Sequence, residues 1–146
     1  MAILFYSSSS EYFEFSNFYQ REIFIQGKKW KTVEHYFQAM KSEDIDVREL
    51  ICKSSIPSQA KSMGRKINIR EDWEEIKDNV MFKALLCKFT QHDDLMKKLI
   101  NTGEEQLIED SENDYYWGWG KNHTGKNKLG KLLEKVRDIL NELKNY

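Results

Sequence analysis

The amino-acid sequence predicts a helix-dominated α+β fold, built as a single domain over residues 1–146 with a small antiparallel β element near the N-terminus. Three observations support this prediction. Short β-branched and aromatic runs are concentrated in the first thirty positions, and apolar residues recur at helical spacing through most of the chain after Thr32. The length is the third, since 146 residues that are 40% hydrophobic suffice for one sizeable core but not for two.

The N-terminal β element is predicted from two short segments. Residues 3–6 and 23–25 are rich in β-branched and aromatic side chains, and Gln26-Gly27 offers a turn directly after the second segment. We therefore expect a small antiparallel pairing in this part of the chain.

Three helices are predicted next. Thr32 suits the N-cap of a helix that ends near Lys41. One face of this helix carries the apolar residues Val33, Tyr36, Phe37 and Met40. A second helix covers about residues 47–53, and a third begins at Pro57 and ends at Gly64, which suits a left-handed C-terminal position.

The second half of the chain predicts three more helices and one strand. Asp72 suits the N-cap of a helix that runs to about Thr90, and Asp93 suits the cap of a shorter helix closed by Gly103. A brief strand is expected at residues 107–108. A final amphipathic helix is indicated by the stripe Leu129, Leu132, Leu133, Val136, Leu140 and Leu143.

Charge and cysteine usage exclude several classes of protein. The 23 basic and 24 acidic residues nearly cancel, so no global field favours nucleic acid or an anionic membrane. The chain shows neither a basic leader nor a run of eighteen apolar residues, and Cys52 and Cys87 form no cluster with histidine. We expect a cytoplasmic protein that neither binds a membrane nor needs a protein partner, and that has no metal site and no cofactor. We also expect Cys87 to be a small core residue.

Polar residues on the helix after Thr32 form the first candidate site. Glu34, Gln38 and Lys41 share the face opposite the aromatic stripe, and Glu34 lies in the first turn, where the helix dipole favours its ionised form. Such a carboxylate suits an electrostatic stabiliser or a base. The alternative is a solvated polar face with no chemical role.

The irregular segment 113–120 is the second candidate. It combines Asp114 with four aromatic rings, Trp117 among them, and two glycines, which suits the wall of a ligand site. The rings could stack on a planar base while Asp114 reaches the sugar. The alternative is an aromatic loop packed into the core with Asp114 capping a turn.

Basic residues indicate where an anion could bind. Lys126 and Asn127 lie at the start of the last helix, where free N–H groups would favour a phosphate, and Lys61 and Arg65 are spaced as neighbours on a helix near Gly64. A solvated lysine-rich helix start is the alternative.

These segments together resemble the NADAR family of YbiA-like proteins. The resemblance covers nearly the whole chain and rests on FSNF at 15–18, GKKWKTVEHYFQAMK at 27–41, AKSMGR at 60–65, WE at 73–74, ND at 113–114 through WG at 117–118, and GKNKLG at 125–130. It departs where the family pattern reads Trp-Gly-Asp-Gly, because Trp119 stands in place of that aspartate. This difference from the family pattern bears on which substrate the protein takes.

The resemblance implies a compact, mostly helical, metal-free YbiA-like enzyme that cleaves N-glycosidic bonds. It implies a small phosphoribosyl substrate, such as an early intermediate of riboflavin biosynthesis, and disposal of reactive metabolites as the purpose. By matching motifs, the essential residues fall on Glu34, Trp73, Asp114 and, as a covalent or anion-binding group, Lys41. Further substrate contacts are implied or indicated at Gln38, Asn17, Arg65, Trp117, Lys126 and Asn127.

Cleavage of a ribosyl C–N bond would use Glu34 at the anomeric carbon and Asp114 for the second proton transfer, so we expect both to line one pocket with Lys41, Trp73 and Trp117. A Schiff base of Lys41 with the opened ribose is a second route. The alternative functions are removal of ADP-ribose from guanine in nucleic acid and non-catalytic binding of ADP-ribose or a nucleotide.

Overall fold

The computed structural model describes residues 1–8 and 11–144. Within these ranges it has six α-helices, four strands and a short 3-10 turn at Phe13–Phe15. In chain order the elements are β1 Ala2–Phe5, β2 Ile23–Ile25, β3 Lys28–Trp30, α1 Val33–Ala39, α2 Ile45–Lys53, α3 Pro57–Gly64, α4 Trp73–Gln91, α5 Asp93–Ile100, β4 Gln106–Glu109 and α6 Lys128–Lys144. The helix-dominated α+β prediction is confirmed.

The chain divides into two compact units. The first unit consists of Met1–Ser16 together with Phe89–Tyr146, and the second unit is the continuous segment Asn17–Lys88. All residues of α1, α2 and α3 therefore belong to the second unit, whereas α5, β4 and α6 belong to the first.

In the second unit, β2 and β3 form an antiparallel hairpin with Ile23 opposite Trp30. Gln26 and Gly27 connect the strands with φ angles of 53° and 78°. Two successive positive φ angles are typical of the hairpin turns that match strand twist, and glycine adopts them without strain. The predicted turn is confirmed at these two residues.

Local caps explain where the helices of the second unit begin. The Thr32 hydroxyl accepts a hydrogen bond from the His35 N–H at 3.1 Å, as predicted for an N-cap. The Asp44 carboxylate accepts one from the Asp46 N–H at 2.8 Å, so α2 begins two residues before the predicted start at residue 47. The helix α3 has the predicted bounds, but Gly64 is not left-handed, because the helix ends on Arg65 with φ −76°.

His35 joins α1 to the end of α2. Its imidazole is fully buried and lies 2.8 Å from the Thr32 hydroxyl and 3.0 Å from the Ser54 carbonyl oxygen. Burial lowers the pKa of this imidazole. The neutral ring therefore fixes the N-terminal end of α1, where Glu34 lies.

In the first unit, β1 pairs in parallel with β4, with Ala2 opposite Gln106. The expected antiparallel element at the N-terminus is thus wrong for β1 and correct only for the β2–β3 hairpin. A parallel pair needs a long connection, which is invisible to a search for neighbouring segments. The pairing places Phe5 and Leu107 in the core, where both are fully buried.

The helices of the first unit follow their apolar stripes. The N-cap of α5 is His92 rather than Asp93, which lies instead in the acidic first turn. In α6 the predicted stripe is buried at Leu129, Leu133, Val136 and Leu140, whereas Leu132 is half-buried and Leu143 is 57% exposed. Helix α6 also buries Arg137, whose guanidinium donates to the Thr102 hydroxyl and the Glu105 carbonyl, both at 2.8 Å.

Two further expectations concern cysteines and membranes. Cys52 and Cys87 are free thiols, and Cys87 is half-buried rather than a core residue. No helix within residues 1–8 and 11–144 combines the length and the apolar character needed to cross a bilayer.

Candidate active site

Glu34 is buried in the second unit, with 6% of its surface exposed. The helix α1 packs against α2 and α3, and every residue of α1 is buried. The alternative of a solvated polar face is therefore wrong, because both faces of this short helix are covered. A carboxylate taken out of water requires hydrogen bonds or opposite charges nearby.

Gln38 supplies a hydrogen bond to this carboxylate. Its Nε2 donates to Glu34 Oε1 at 2.7 Å, across one turn of α1. The Glu34 backbone N–H donates to the Asn17 carbonyl oxygen at 3.2 Å, which joins the start of α1 to the preceding loop. Gln38 is 4% exposed, so the pair is enclosed by protein.

Lys41 interacts electrostatically with this carboxylate and with three other cations. Burial lowers the pKa of Lys41, the charge of Glu34 opposes that shift, and the charges of Arg65, Lys61 and Lys77 lower it further. Lys41, Lys61, Arg65 and Lys77, which we call the cation cluster, are thus close enough to interact electrostatically. Lys41 Nζ lies 5.9 Å from the centre of the Phe37 ring.

The cation cluster exceeds the charge of Glu34. Lys77 Nζ pairs with Glu74 Oε1 at 2.6 Å, and that carboxylate is 78% exposed. Four neighbouring positive groups, of which Lys41 also interacts with the buried Glu34, favour an added anion such as a phosphate. An amine with a lowered pKa is also more often neutral, and therefore more nucleophilic, than an ordinary lysine.

Aromatic residues cover one side of the same region. The rings of Phe37 and Trp73 lie 5.0 Å apart at an interplanar angle of 59°, and Trp73 is 5% exposed. Lys61 Nζ lies 5.8 Å from the Phe18 ring centre. Most of the Trp73 indole is thus used in packing.

Asn17 lies at the edge of the second unit's core and is 8% exposed. Its Nδ2 donates to the Met81 sulfur at 3.4 Å, and its Oδ1 has no hydrogen-bond partner among the described residues. The amide therefore keeps an acceptor that its own surroundings do not use.

Asp114 and Trp117 lie in the first unit, in the loop that precedes α6. Asp114 Oδ1 accepts from the N–H groups of Tyr116 and Trp117 at 2.9 and 2.8 Å. The carboxylate thus caps a turn, as the alternative interpretation expected, while Asp114 remains half-buried. The rings of Tyr116 and Trp117 meet edge to face at 4.8 Å.

The N–H groups of Lys126, Asn127 and Lys128 at the start of α6 are already hydrogen-bonded. They donate to loop carbonyls at 2.8–3.0 Å. Asn127 also accepts from the Glu109 N–H at 3.0 Å and donates to the Leu107 carbonyl at 2.9 Å, so it fastens the loop to β4. The expectation of a phosphate on free backbone donors here is wrong. The ammonium of Lys126 lies 5.4 Å from the Tyr116 ring centre.

Two features of the second unit escaped sequence reasoning. Lys77 belongs to the cation cluster, and its position one turn after Trp73 on α4 was a usable signal. Gly64 was interpreted as a helix end, whereas it faces the side chain of Gln38. No periodicity in the sequence indicates that contact.

The fold and this site define a helix-rich α+β protein whose second unit holds a buried carboxylate beside a half-buried amine and additional cations. The model of the NADAR domain matches residues 4–141. The chain belongs to the NADAR family.

Relatives match over nearly the full length. The N-glycosidase YbiA of Shigella flexneri serotype 5b is 48% identical over 140 residues, which cover 94% of this chain and 88% of that protein. The NMR structure of Escherichia coli YbiA matches with a TM-score of 0.91 and 46% identity over 99% of this chain and 87% of that one. The riboflavin biosynthesis protein VVA0006 of Vibrio vulnificus is 34% identical over 99% of this chain and 40% of its own length.

Proposed function

We propose that this NADAR protein hydrolyses the N-glycosidic bond of a small phosphorylated ribosyl compound of the kind formed early in riboflavin biosynthesis. Hydrolysis of an N-glycosyl bond follows from the family and from the near-full-length similarity to N-glycosidases. The riboflavin-related name of one relative supports the choice of substrate. The observation that carries the proposal is the buried Glu34 beside Lys41 of the cation cluster.

The proposed chemistry uses Glu34 as a fixed negative charge. As the bond between C1 of the ribose and the base nitrogen lengthens, positive charge develops on C1 and negative charge on the base. An ionised Glu34 beside C1 stabilises that carbon or orients the attacking water. Water oxygen then bonds to C1, one proton of the water is released, and the base nitrogen takes up a proton as it departs.

The cation cluster supports a phosphate ester as the substrate. Lys61, Arg65 and Lys77 provide charge for a phosphate dianion, and a guanidinium can bind two phosphate oxygens at once. Binding through the phosphate also directs the ribose toward Glu34, so that affinity and orientation come from the same contact.

Lys41 offers a second route to the same products. When the ribose ring opens, C1 stays bonded to the base nitrogen as an imine, and the neutral amine of Lys41 would add to C1. The base nitrogen takes up a proton and departs, which leaves an imine between Lys41 and C1 that water later hydrolyses to free lysine and the ribose aldehyde. Borohydride reduction during turnover separates the two routes. A reduced adduct on the peptide containing Lys41 supports the imine, and an unmodified peptide supports direct attack by water.

The proposal is tested by incubating the purified protein with a phosphoribosylamino-pyrimidine and, separately, with ADP-ribosylated guanosine. Release of ribose phosphate from the first compound, abolished in Glu34→Gln, supports the proposed function. Release of ADP-ribose alone would favour the guanine-directed alternative. Binding of either compound without product would indicate a non-catalytic binding module instead.

A further inference from the structure

We infer that Gln38 is a positioning residue that holds Glu34, rather than a ligand of the substrate, and that residue 64 is glycine because Gln38 occupies the space of its side chain. The inference rests on the proposed function, in which Glu34 provides the charge for catalysis. It replaces the substrate-binding role that the sequence suggested for Gln38.

The amide of Gln38 is oriented by the carboxylate. Its Nε2 donates to Glu34 Oε1 at 2.7 Å, and its Oε1 is buried without a hydrogen-bond partner among the described residues. Exchanging the two ends of the amide would direct an oxygen lone pair at a carboxylate oxygen. The observed orientation is therefore the one that stabilises an ionised Glu34.

The other end of the amide is covered by α3. A methyl group built on Gly64 would overlap Gln38 Oε1 and lie 2.8 Å from Gln38 Cδ and 3.2 Å from Cβ. Gly64 has helical geometry, so conformational freedom does not explain its presence. Since the Gln38 oxygen lies against the α3 backbone, a substrate could reach it only if α1 and α3 separated.

Gln38 and the cation cluster differ in how they can orient the Glu34 carboxylate. The members of the cation cluster have long side chains, and they act through charge rather than fixed geometry. Lys61 lies on α3, Lys77 lies on α4, and Lys41 and Arg65 lie just beyond the ends of α1 and α3. Gln38, one turn away on the same helix and 4% exposed, has little freedom to move. It can therefore fix the direction of the carboxylate, which the cations alone cannot.

Two variants separate positioning from binding. Gln38→Met keeps a long unbranched side chain over Gly64 but removes the donor, and Gly64→Ala keeps the donor but displaces it. Both should lower kcat by about ten- to a hundredfold and leave KM within about twofold, because the lost contact acts on Glu34 and not on substrate. The acid limb of the kcat profile should move to higher pH, since the ionised carboxylate has lost a donor.

A double variant tests the role of Gly64. In a Gln38→Ala background the added methyl meets no amide, so Gly64→Ala should cause no further loss of kcat there. Ser62→Ala, at an exposed position of α3, is the matched control and should behave as the unmodified protein. If Gly64→Ala fails to fold, Gln38→Met carries the test alone.

A readout independent of activity completes the experiment. Carbon-13 NMR of side-chain carboxyls, with the Glu34 signal assigned by its loss in Glu34→Gln, should show Glu34 titrating at higher pH in Gln38→Met. An unchanged titration, or a rise in KM with normal kcat, would overturn the positioning role. If the unmodified protein cleaves no ribosyl compound, the proposed function fails, whereas the titration still decides whether Gln38 holds Glu34.

Discussion

Replacing Glu34 with glutamine removes its negative charge and preserves its size, so this variant measures what the buried carboxylate contributes to catalysis. The glutamine carbonyl can still accept the hydrogen bond from Gln38 Nε2. Position 34 also stays buried, at 6% exposure in the parent protein. Packing and hydrogen bonding therefore change little compared with charge.

The size of the effect follows from burial. Two unit charges about 4 Å apart interact by about 4 kcal/mol at an effective dielectric constant near 20, the value that suits such sites. Each 1.36 kcal/mol corresponds to a tenfold change in rate. If Glu34 stabilises a full positive charge at C1, kcat should fall by about a thousandfold, and by about a hundredfold if the charge is only partly developed. KM should change little, because the interaction strengthens in the transition state.

The assay is steady-state release of the free base, followed by liquid chromatography. Asp46→Asn is a matched control, since Asp46 occupies the same first-turn position of α2 that Glu34 occupies in α1, but is exposed. That control should retain full activity. The unfolding free energy of Glu34→Gln should fall by no more than about 2 kcal/mol. A folded Glu34→Gln variant with kcat within about threefold of the parent would refute the role given to this charge.

Three further predictions concern other parts of the chain. Burial lowers the pKa of His35 from 6.5, so as the pH drops the imidazole is protonated in the unfolded state before it is protonated in the folded state. In urea denaturation the free energy of unfolding should therefore decrease as the pH is lowered below 6.5, and this decrease should be smaller in His35→Gln. Asp114→Ala removes the turn cap and should lower the free energy of unfolding, measured by thermal denaturation, by about 1 kcal/mol, whereas Asp114→Asn keeps an acceptor oxygen and should preserve stability. A loss of turnover in Asp114→Asn would show that the negative charge of Asp114 is needed for catalysis, and normal turnover would show that Asp114 serves only as a turn cap. Activity should survive EDTA, because no three His, Cys, Asp or Glu side chains within the described part of the chain are grouped to hold a metal; a loss that zinc restores would contradict this.

The features that the sequence predicts well are those that depend on neighbouring residues. The hydroxyl of Thr32 satisfies an N–H three residues away, and Pro57 suits the first turn of α3, so both helices begin where expected. The turn at Gln26 and Gly27 is local in the same sense.

The features that the sequence does not predict depend on distant partners. Whether Glu34 is solvated or buried is decided by the helices that pack against α1, and a stripe pattern on one helix does not contain that information. Gly64 has two plausible reasons to be glycine, a left-handed helix end or a close neighbour, and only the position of Gln38 distinguishes them. For Asp114 the turn-capping role was foreseeable, since aspartate often bonds the backbone two residues on.

The parallel pairing of β1 with β4 has a consequence for the order in which the chain folds. Ala2 meets Gln106 across about a hundred intervening residues, so on the ribosome β1 has no partner strand until β4 has been synthesised. The segment Asn17–Lys88, by contrast, is continuous and emerges whole well before β4 does. Closing a long chain segment also costs more entropy than closing a short one. Vectorial synthesis therefore favours early acquisition of structure around Glu34 and leaves the pairing of β1 with β4 until later.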